Sequence, residues 1–244
     1  MASEPVTLRG VILASREYKE KDRVLKFLTK ERGLLDIYAK GTGKMNSSNA
    51  FVSVPYMLCD ITVSDSHGYL YFRSGNIIES NSRIMTDLDT ITAAAHFADI
   101  LIDTSGQSEN FKEAYELAVY AYYYLASSAG RYMQFVAAFN WRILSILGFT
   151  VIYEVTNDTR LPVTGDGVYY VSNSGGDIYA GRKEGDYSVL SGVAVKALNY
   201  MASCDIKDLF AMTCSDSMVS SLSDFTLRYI SYHFEKNYKE RFEL

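Results

Sequence analysis

The sequence has few cysteines and no long apolar run, which excludes several classes of protein. Its three cysteines, Cys59, Cys204 and Cys214, are too few and too scattered for a disulfide framework. No apolar run reaches the roughly 20 residues that a membrane-spanning helix needs. The first residues, Met-Ala-Ser-Glu-Pro, lack the charged and apolar regions of a signal peptide. We therefore expect a cytoplasmic protein without a membrane partner.

Motifs of catalysis and of cofactor binding are scarce as well. The three histidines, His67, His96 and His233, are isolated, and none stands at a recognisable metal-ligand spacing. Residues 41–45, Gly-Thr-Gly-Lys-Met, resemble a phosphate-binding loop but lack its first glycine and the Ser/Thr that would hold magnesium. No nucleophile elbow or pair of carboxylates stands out. We therefore expect neither an enzyme nor a bound cofactor.

Charge is unevenly distributed along the chain. The 244 residues carry 24 Lys/Arg and 29 Asp/Glu, a net charge of −5 that at first argues against a nucleic-acid partner. Residues 1–50, however, hold ten Lys/Arg against six Asp/Glu, a local balance of +4, so the remaining residues sum to −9. A phosphate chain responds to the field within about one Debye length, roughly 8–10 Å. A basic N-terminal region on an acidic body is therefore compatible with DNA binding.

The first part of the chain has the pattern of short β-strands. Segments rich in β-formers occur at 7–14, 23–29, 34–39, 57–64 and 69–79. The residues between the last two segments, Asp-Ser-His-Gly at 65–68, have the chemistry of a hairpin turn. Five strands in about 80 residues favour a small barrel, although a fragment of a sandwich would give a similar pattern.

From residue 83 onward, apolar residues recur at spacings of three and four, which indicates helices. Helical segments are predicted at 83–102, 111–128, 131–147, 190–202 and 217–242. Residues 155–185 interrupt them with a Gly- and Asp-rich insertion that has strand-like pieces at 168–172 and 177–179. The sequence therefore predicts an α+β protein, with an N-terminal five-stranded barrel at 1–80 and a mostly helical domain at 81–244.

Residues 16–41 carry the most specific pattern, an apolar strand pattern with basic residues that closes on a glycine. Its spacing resembles that of the N-terminal domain of the RecO family of bacterial recombination mediators at Tyr18, Glu20, Asp22, Leu25, Thr29, Gly33, Ala39, Lys40 and Gly41. Later segments resemble the same family in the same order at 83–95, 139–149, 190–192 and 227–242. The resemblance thus covers the whole chain.

This resemblance implies an OB-fold for the barrel and a role in DNA repair by homologous recombination. RecO proteins bind single- and double-stranded DNA and help complementary strands to anneal. With RecR they help to load the recombinase RecA onto single strands coated by single-strand-binding protein. The implied protein is nucleoid-associated, and its partners are DNA, RecR and the C-terminal tail of single-strand-binding protein. It exchanges partners without making or breaking bonds.

One departure from the family concerns zinc. Many RecO proteins carry paired cysteines after the central helix, at the spacing of a structural zinc site. Residues 155–185 contain neither cysteine nor histidine, so no zinc site of this kind can form there. We predict a metal-free hairpin instead, with Tyr169, Tyr170 and Tyr179 covering the helices.

A second departure concerns the loop that follows Gly41. This loop is often strongly basic in the family, whereas here Lys44 is its only cation before Phe51. Each lost phosphate contact removes one released counterion. We therefore expect DNA binding that is weaker and more easily salted out than in a more basic relative.

Basic residues of the N-terminal region are the candidates for contact with a sugar-phosphate backbone. The set is Arg16, Lys19, Lys21, Arg23, Lys26, Lys40, Lys44 and Arg73. Candidate stacking surfaces for bases are Tyr38, which we assign to the same site, together with Tyr69, Tyr71 and Phe72. The alternative is an ordinary solvated barrel face, partly neutralised by Glu17, Glu20 and Asp22. The resemblance favours DNA contact for the set as a whole.

A second candidate site lies on the third predicted helix. RecO proteins take the acidic, aromatic-ended tail of single-strand-binding protein into a pocket of the helical domain, and Arg142 matches the family's central arginine. An arginine can hold a terminal carboxylate through two hydrogen bonds while an apolar pocket takes the ring. The candidate residues are Arg131, Phe139, Trp141, Arg142 and Ile146. The alternative is an intramolecular ion pair with ordinary core packing.

Two other functions are compatible with the sequence. The acidic body and the basic-poor loop also suit an interaction adaptor of the same pathway, with little or no direct DNA binding. An unrelated OB-fold module, such as an RNA-binding factor, would instead prefer structured RNA to single-stranded DNA.

Overall fold

The computed structural model describes residues 4–42, 49–105 and 111–242. The chain divides into two compact units, Met1–Ala129 and Gly130–Leu244. The first unit contains the predicted barrel together with two helices, and the second contains the remaining helices and the insertion. The predicted domain limits, 1–80 and 81–244, stay a prediction.

Strands of the first unit form a closed barrel. They are β1 (Val6–Tyr18), β2 (Asp22–Thr29), β3 (Gly33–Ala39), β4 (Leu58–Ser66) and β5 (Tyr69–Glu79). Their order around the barrel is β1-β2-β3-β5-β4. Neighbouring strands are antiparallel except β3 and β5, a parallel pair that joins Ile37 to Leu70 and Tyr38 to Tyr71. A small, five-stranded closed barrel of this kind is an OB-fold, so the predicted fold class is confirmed.

Alternation along each strand explains how the barrel is filled. Leu25 and Phe27 on β2 and Ile37 on β3 have no exposed surface, while Lys26 between the first two is half-exposed and Asp36 before Ile37 is exposed. Ile61 on β4 is also fully buried in the same core. Burying each such side chain stabilises the fold by about 1.5–3 kcal/mol. The barrel interior is thus a packed core, and any ligand has to bind on its outer face or at its rim.

Strand β1 is longer than its apolar pattern predicts. Its last residues are polar or exposed, yet they pair with β2 as far as Tyr18, which lies opposite Asp22. A shift of register between Ile12 and Ala14 marks a bulge, which allows the strand to bend. The extension carries Tyr18 to the rim of the barrel.

Two helices complete the first unit, α1 (Leu88–Thr104) and α2 (Phe111–Ser127). Helix α1 begins later than the predicted residue 83, because Ser82–Thr86 forms a separate 3-10 turn. Asp87 then caps the helix by accepting a hydrogen bond from the Thr90 amide at 3.0 Å, which satisfies one of the amides without a partner in the helix.

The second unit contains four helices among its described residues. They are α3 (Tyr132–Ile146), α4 (Gly192–Ser203), α5 (Ile206–Leu209) and α6 (Asp216–His233). The prediction of a last helix that continues to residue 242 is wrong. Helix α6 ends at His233, Glu235 adopts a left-handed conformation, and Lys239–Phe242 forms a separate 3-10 turn. No helix of the described part is long and apolar enough to cross a membrane.

The insertion before α4 is a small antiparallel sheet with the order β7-β6-β8. Its strands are β6 (Val168–Ser172), β7 (Ile178–Tyr179) and β8 (Tyr187–Ser191). Tyr169 is buried, whereas Tyr170 and its register partner Tyr179 lie on the opposite, half-exposed face. Of the three tyrosines predicted to cover the helices, Tyr169 alone is buried. Within residues 4–42, 49–105 and 111–242, no group of three His, Cys, Asp or Glu side chains is arranged to hold a metal ion.

Candidate nucleic-acid interface

A cleft of about 400 Å³ lies on the outer face of the barrel, near its β1–β2 turn. Four tyrosines line it, Tyr18, Tyr38, Tyr69 and Tyr71, and we call it the tyrosine cleft. Strand register explains why they meet. Tyr38 pairs with Tyr71 across the β3–β5 seam, and side chains of paired residues project to the same side of a sheet. Tyr18 approaches Tyr38 from the other side, over β2.

The rings contact one another in a continuous cluster. The Tyr38 ring centroid lies 5.8 Å from each of those of Tyr18, Tyr69 and Tyr71. The Tyr18 and Tyr69 rings stand nearly perpendicular to Tyr38, at 75° and 78°. Such edge-to-face pairs are worth about 0.5–1.5 kcal/mol beyond the area they bury. The cluster is thus a preformed aromatic surface.

Lysines stand at the two ends of this aromatic row. The Lys19 Nζ atom lies 5.4 Å from the centroid of the Tyr18 ring, and the Lys40 Nζ atom lies 5.2 Å from that of Tyr71. Both ammonium groups are therefore within cation–π range, about 6 Å, and both side chains remain exposed. Lys19 occupies the turn after β1 with φ +62°, which fixes its position at the rim.

Arg23 is the third cation of the tyrosine cleft. Its Nη2 atom lies 3.4 Å from Glu17 Oε1, but the Glu17 side chain is 82% exposed, so water weakens this ion pair. The Arg23 Nε atom is buried and has no hydrogen-bond partner among the described residues. A guanidinium carries five N–H donors, so Arg23 retains donors for a ligand.

One carboxylate, that of Asp22, also lines the cleft. Its Oδ1 atom accepts a hydrogen bond from the Gly41 amide at 2.9 Å, which holds the chain after β3 against the start of β2. The lining therefore combines three cations with one carboxylate that has a structural role. Its local charge is positive although the whole chain is acidic.

The other predicted DNA-binding residues lie outside the cleft. Lys26 forms an ion pair with Asp36, at 2.7 Å from Nζ to Oδ1. Arg16 and Lys21 are exposed nearby without lining it, and Arg73 donates from Nε to the Ser64 hydroxyl at 2.7 Å. Lys44 lies outside the described residues.

Among the aromatic residues, the sequence prediction is wrong for Phe72 and omits Tyr18. Phe72 is not a stacking surface, because it belongs to the barrel core and is only 9% exposed. Tyr18 was not named as a candidate, although it lines the cleft and is 46% exposed. The signal that could have found it is its position beside Lys19 in a basic segment. This signal can be used only if β1 is known to extend to Tyr18, and the apolar pattern predicts an end of the strand at residue 14.

Another cation of the barrel, Arg9 on β1, is already neutralised by an ion pair. Its guanidinium makes two hydrogen bonds to Asp60, from Nε at 2.8 Å and from Nη2 at 3.0 Å. The hydrogen bond from Arg9 lowers the pKa of Asp60 below its ordinary value. This pair joins β1 to β4, where Arg9 and Asp60 are register partners, and contributes little charge to an external ligand.

The two predicted arginines lie near opposite ends of helix α3, since Arg131 is the residue that precedes it and Arg142 lies close to its C-terminal end. Arg142 donates from Nε to the Met201 carbonyl at 2.8 Å and from Nη2 to the Cys204 carbonyl at 2.5 Å. Arg131 donates to the Met212 carbonyl, and its guanidinium lies 5.3 Å from the Phe135 ring. Arg142 thus holds the C-terminal end of α4, and Arg131 holds the segment that follows α5.

The remaining candidates on α3 are largely buried. Phe139 and Trp141 have no exposed surface, and Trp141 packs against Phe225 and Tyr229 with ring centroids 5.5 and 5.3 Å away. Ile146 is half-buried. The structure therefore places Arg131 and Arg142 near opposite ends of α3 with different hydrogen-bond partners, whereas both aromatic side chains lie in the core. The assignment of this site stays a prediction.

A closed five-stranded barrel with an aromatic and cationic cleft, followed by a mostly helical region, defines the chain as an OB-fold protein. The family model described as "Recombination protein O N terminal" matches residues 1–81, and the one described as "Recombination protein O C terminal" matches residues 85–242. The chain belongs to the RecO family of DNA repair proteins. The resemblance found in the sequence is confirmed.

Individual relatives match along nearly the whole chain. The chain is 27% identical over 233 residues to a "DNA repair protein RecO" of Acetivibrio thermocellus, which covers 94% of this chain and 92% of the relative. It is 20% identical over 228 residues to the protein of that name from Clostridium acetobutylicum, covering 93% and 92%. The protein of that name from Desulforamulus reducens is 22% identical over 234 residues, covering 95% and 91%.

Proposed function

We propose that the chain acts in recombinational DNA repair by holding DNA on the outer face of its barrel while it exchanges protein partners. In this function it anneals complementary strands and, with RecR, helps to load RecA onto strands coated by single-strand-binding protein. The observation that carries the proposal is the convergence of Lys19, Arg23 and Lys40 on the tyrosine cleft. Membership of the RecO family is the reason for proposing recombinational DNA repair as the pathway.

Electrostatics sets the expected strength of this interaction. Three cations line the cleft, and the exposed Arg16 and Lys21 lie on the same end of the barrel, so about three to five phosphates can be contacted. At about 0.7 released counterions per contact, binding of a single strand should have a log–log salt slope of about −2 to −3.5. The affinity should then fall about 20- to 100-fold between about 50 mM and 200 mM salt.

Weak and reversible binding of this kind suits a mediator. A protein that neutralises part of the phosphate charge on two strands reduces their mutual repulsion and so favours annealing. A protein that binds a few phosphates at a time also releases the strand readily to the next partner. We infer a mechanism of partner exchange, in which the chain performs no bond chemistry.

The helical region is the proposed contact for the acidic tail of single-strand-binding protein. Neither Arg131 nor Arg142 pairs with a carboxylate among the described residues, so each retains its charge for an acidic ligand. Phe139 and Trp141 are buried and cannot line an open pocket in this conformation, which leaves Ile146 as the apolar neighbour. The proposed site therefore comprises Arg131, Arg142 and Ile146.

Fluorescence anisotropy of a labelled single strand, titrated at several salt concentrations, tests the direct DNA role. We expect saturable binding at about 50 mM salt that weakens with the slope given above. Absence of binding at that salt concentration would remove the direct DNA role from this chain.

The adaptor function with little DNA binding has one observation in its favour. Ion pairs within the barrel already neutralise Arg9 and Lys26, and Arg23 shares its charge with Glu17. An adaptor would bind RecR, or a peptide of the single-strand-binding protein tail, saturably and would not bind DNA. The same titration, repeated with these ligands, distinguishes the two functions.

A further inference from the structure

Two rings of the tyrosine cleft are open to solvent. Tyr69 is 55% exposed and Tyr18 is 46% exposed, although both belong to strands of a packed barrel. Each stands nearly perpendicular to Tyr38, one from the β1 side and one from the β5 side. The cleft therefore has aromatic walls on two sides of a central ring and is open to solvent.

The size and chemistry of the cleft fit a flat ligand that carries negative charge. Its volume of about 400 Å³ lies within the range of sites for small ligands, about 300–1,000 Å³. Lys19 and Lys40 stand at the two ends of the aromatic row, and Arg23 also lines the cleft. A base with its flanking phosphates has this combination of an aromatic face and anionic ends.

Duplex and single-stranded DNA differ in what they offer to such a cleft. Both present phosphates, so the lysines attract both. Only an unpaired base exposes a face on which tyrosine rings can stack, because bases inside a duplex are already stacked on each other. Stacking on aromatic side chains tolerates any base sequence, since every base has a π-face. The tyrosines should therefore favour single strands without reading sequence.

We propose that the tyrosine cleft binds unpaired bases and gives this protein a preference for single-stranded over duplex DNA, a selectivity that rests on the proposed function. Lys19, Arg23 and Lys40 provide attraction to phosphates, and Tyr18, Tyr38 and Tyr69 provide the discrimination. The ligand is an unpaired nucleotide within a strand.

Paired binding titrations test this division of roles. The variant Tyr38→Leu/Tyr69→Leu removes two rings and retains apolar side chains of similar size. We expect its affinity for a single strand to fall by about fivefold to a hundredfold for each base that loses its stacking, with duplex affinity changed less than about twofold. The salt slope should stay the same, because no cation is removed. Tyr69→Phe, which keeps the ring, should bind single strands like the parent.

The matched control is Tyr232→Leu, since Tyr232 is 58% exposed but lies on α6, outside the cleft. A single strand containing 2-aminopurine provides a second readout, because stacking quenches its fluorescence. We expect quenching by the parent and not by the double variant, which also separates loss of stacking from loss of folding when circular dichroism is unchanged.

Different results would overturn the inference and the proposed function. Equal losses for single strands and duplex, or no loss for either, would refute selection by the tyrosine cleft while leaving DNA binding in place. A free nucleoside monophosphate that bound the cleft as tightly as a strand would refute the strand as its ligand. If the parent protein bound neither form of DNA at about 50 mM salt, the proposed function itself would fail.

Discussion

Removing the two lysines at the ends of the tyrosine cleft should change both the affinity for DNA and its dependence on salt. The variant we consider is Lys19→Asn/Lys40→Gln. Asparagine is chosen at Lys19 because the φ of +62° there lies in the left-handed region that asparagine tolerates. Glutamine at position 40 keeps most of the length of lysine and loses its charge. Neither substitution removes a buried group, since both lysines are exposed.

The magnitude follows from counterion release. Each phosphate contact on a single strand contributes about 0.7 to the log–log salt slope. Loss of two contacts should therefore make the slope shallower by about 1.4. At about 0.1 M salt, relative to 1 M, one contact is worth about fivefold in affinity, so two lysines together should be worth about 25-fold.

Lys26→Gln is the matched control. Lys26 belongs to the same barrel, but its ammonium group is paired with Asp36 at 2.7 Å and it does not line the cleft. We expect its salt slope to equal that of the parent and its affinity to change less than about twofold. Anisotropy titrations of all three proteins at matched salt concentrations give the comparison.

Two results would refute the reasoning. If the cleft variant and Lys26→Gln reduced the slope equally, the binding surface would be a diffuse positive face and not the tyrosine cleft. If the cleft variant bound with the slope of the parent, Lys19 and Lys40 would not contact phosphate at all.

Three further predictions concern the helical region and the barrel seam between β1 and β4. Arg142→Ala should lower the free energy of unfolding in urea by about 2–3 kcal/mol, because it leaves two backbone carbonyls without charged donors; a loss under about 0.5 kcal/mol would contradict this role. Since Arg9 lowers the native pKa of Asp60 below its unfolded value of 3.8, the stability from this pair should be present above that pH and lost as the pH falls through the native pKa. Asp60→Asn should abolish that part of the acid sensitivity, which we expect to be small because water screens such an exposed pair, and acid titrations that superimpose for both proteins would refute it. Arg131→Gln should weaken binding of an acidic, aromatic-ended peptide, whereas Arg182→Gln, in the exposed part of the insertion, should not; equal affinities for all three proteins would exclude Arg131 from the site.

Much of the barrel could be predicted because its strands obey simple alternation. Leu25 and Phe27 alternate with outward-facing residues, and the Asp-Ser-His-Gly turn marks the β4–β5 hairpin. The end of β1 could not be predicted in this way. Its residues up to Tyr18 are held by pairing with β2, which is a contact between segments and leaves no apolar pattern.

The composition of the candidate site was harder to predict, because it depends on strand register. Lys26 and Lys40 look alike in the sequence, but register sets Lys26 opposite Asp36 and leaves Lys40 beside Tyr71. Likewise, α3 is apolar around most of its circumference, so no period identifies Trp141 as buried. The partners of Arg142 are carbonyls about sixty residues further along the chain, which local patterns cannot reveal.

The parallel seam between β3 and β5 has a consequence for how binding and folding are linked. The seam is short, joining Ile37 to Leu70 and Tyr38 to Tyr71, and it closes the barrel directly beneath the aromatic row. A DNA strand bound across Tyr38 and Tyr71 would contact both β3 and β5. Binding should therefore stabilise the pairing of these two β-strands. Hydrogen exchange of the amides along β3 should then slow as DNA is added, because bound DNA would make opening of the barrel at this seam less frequent.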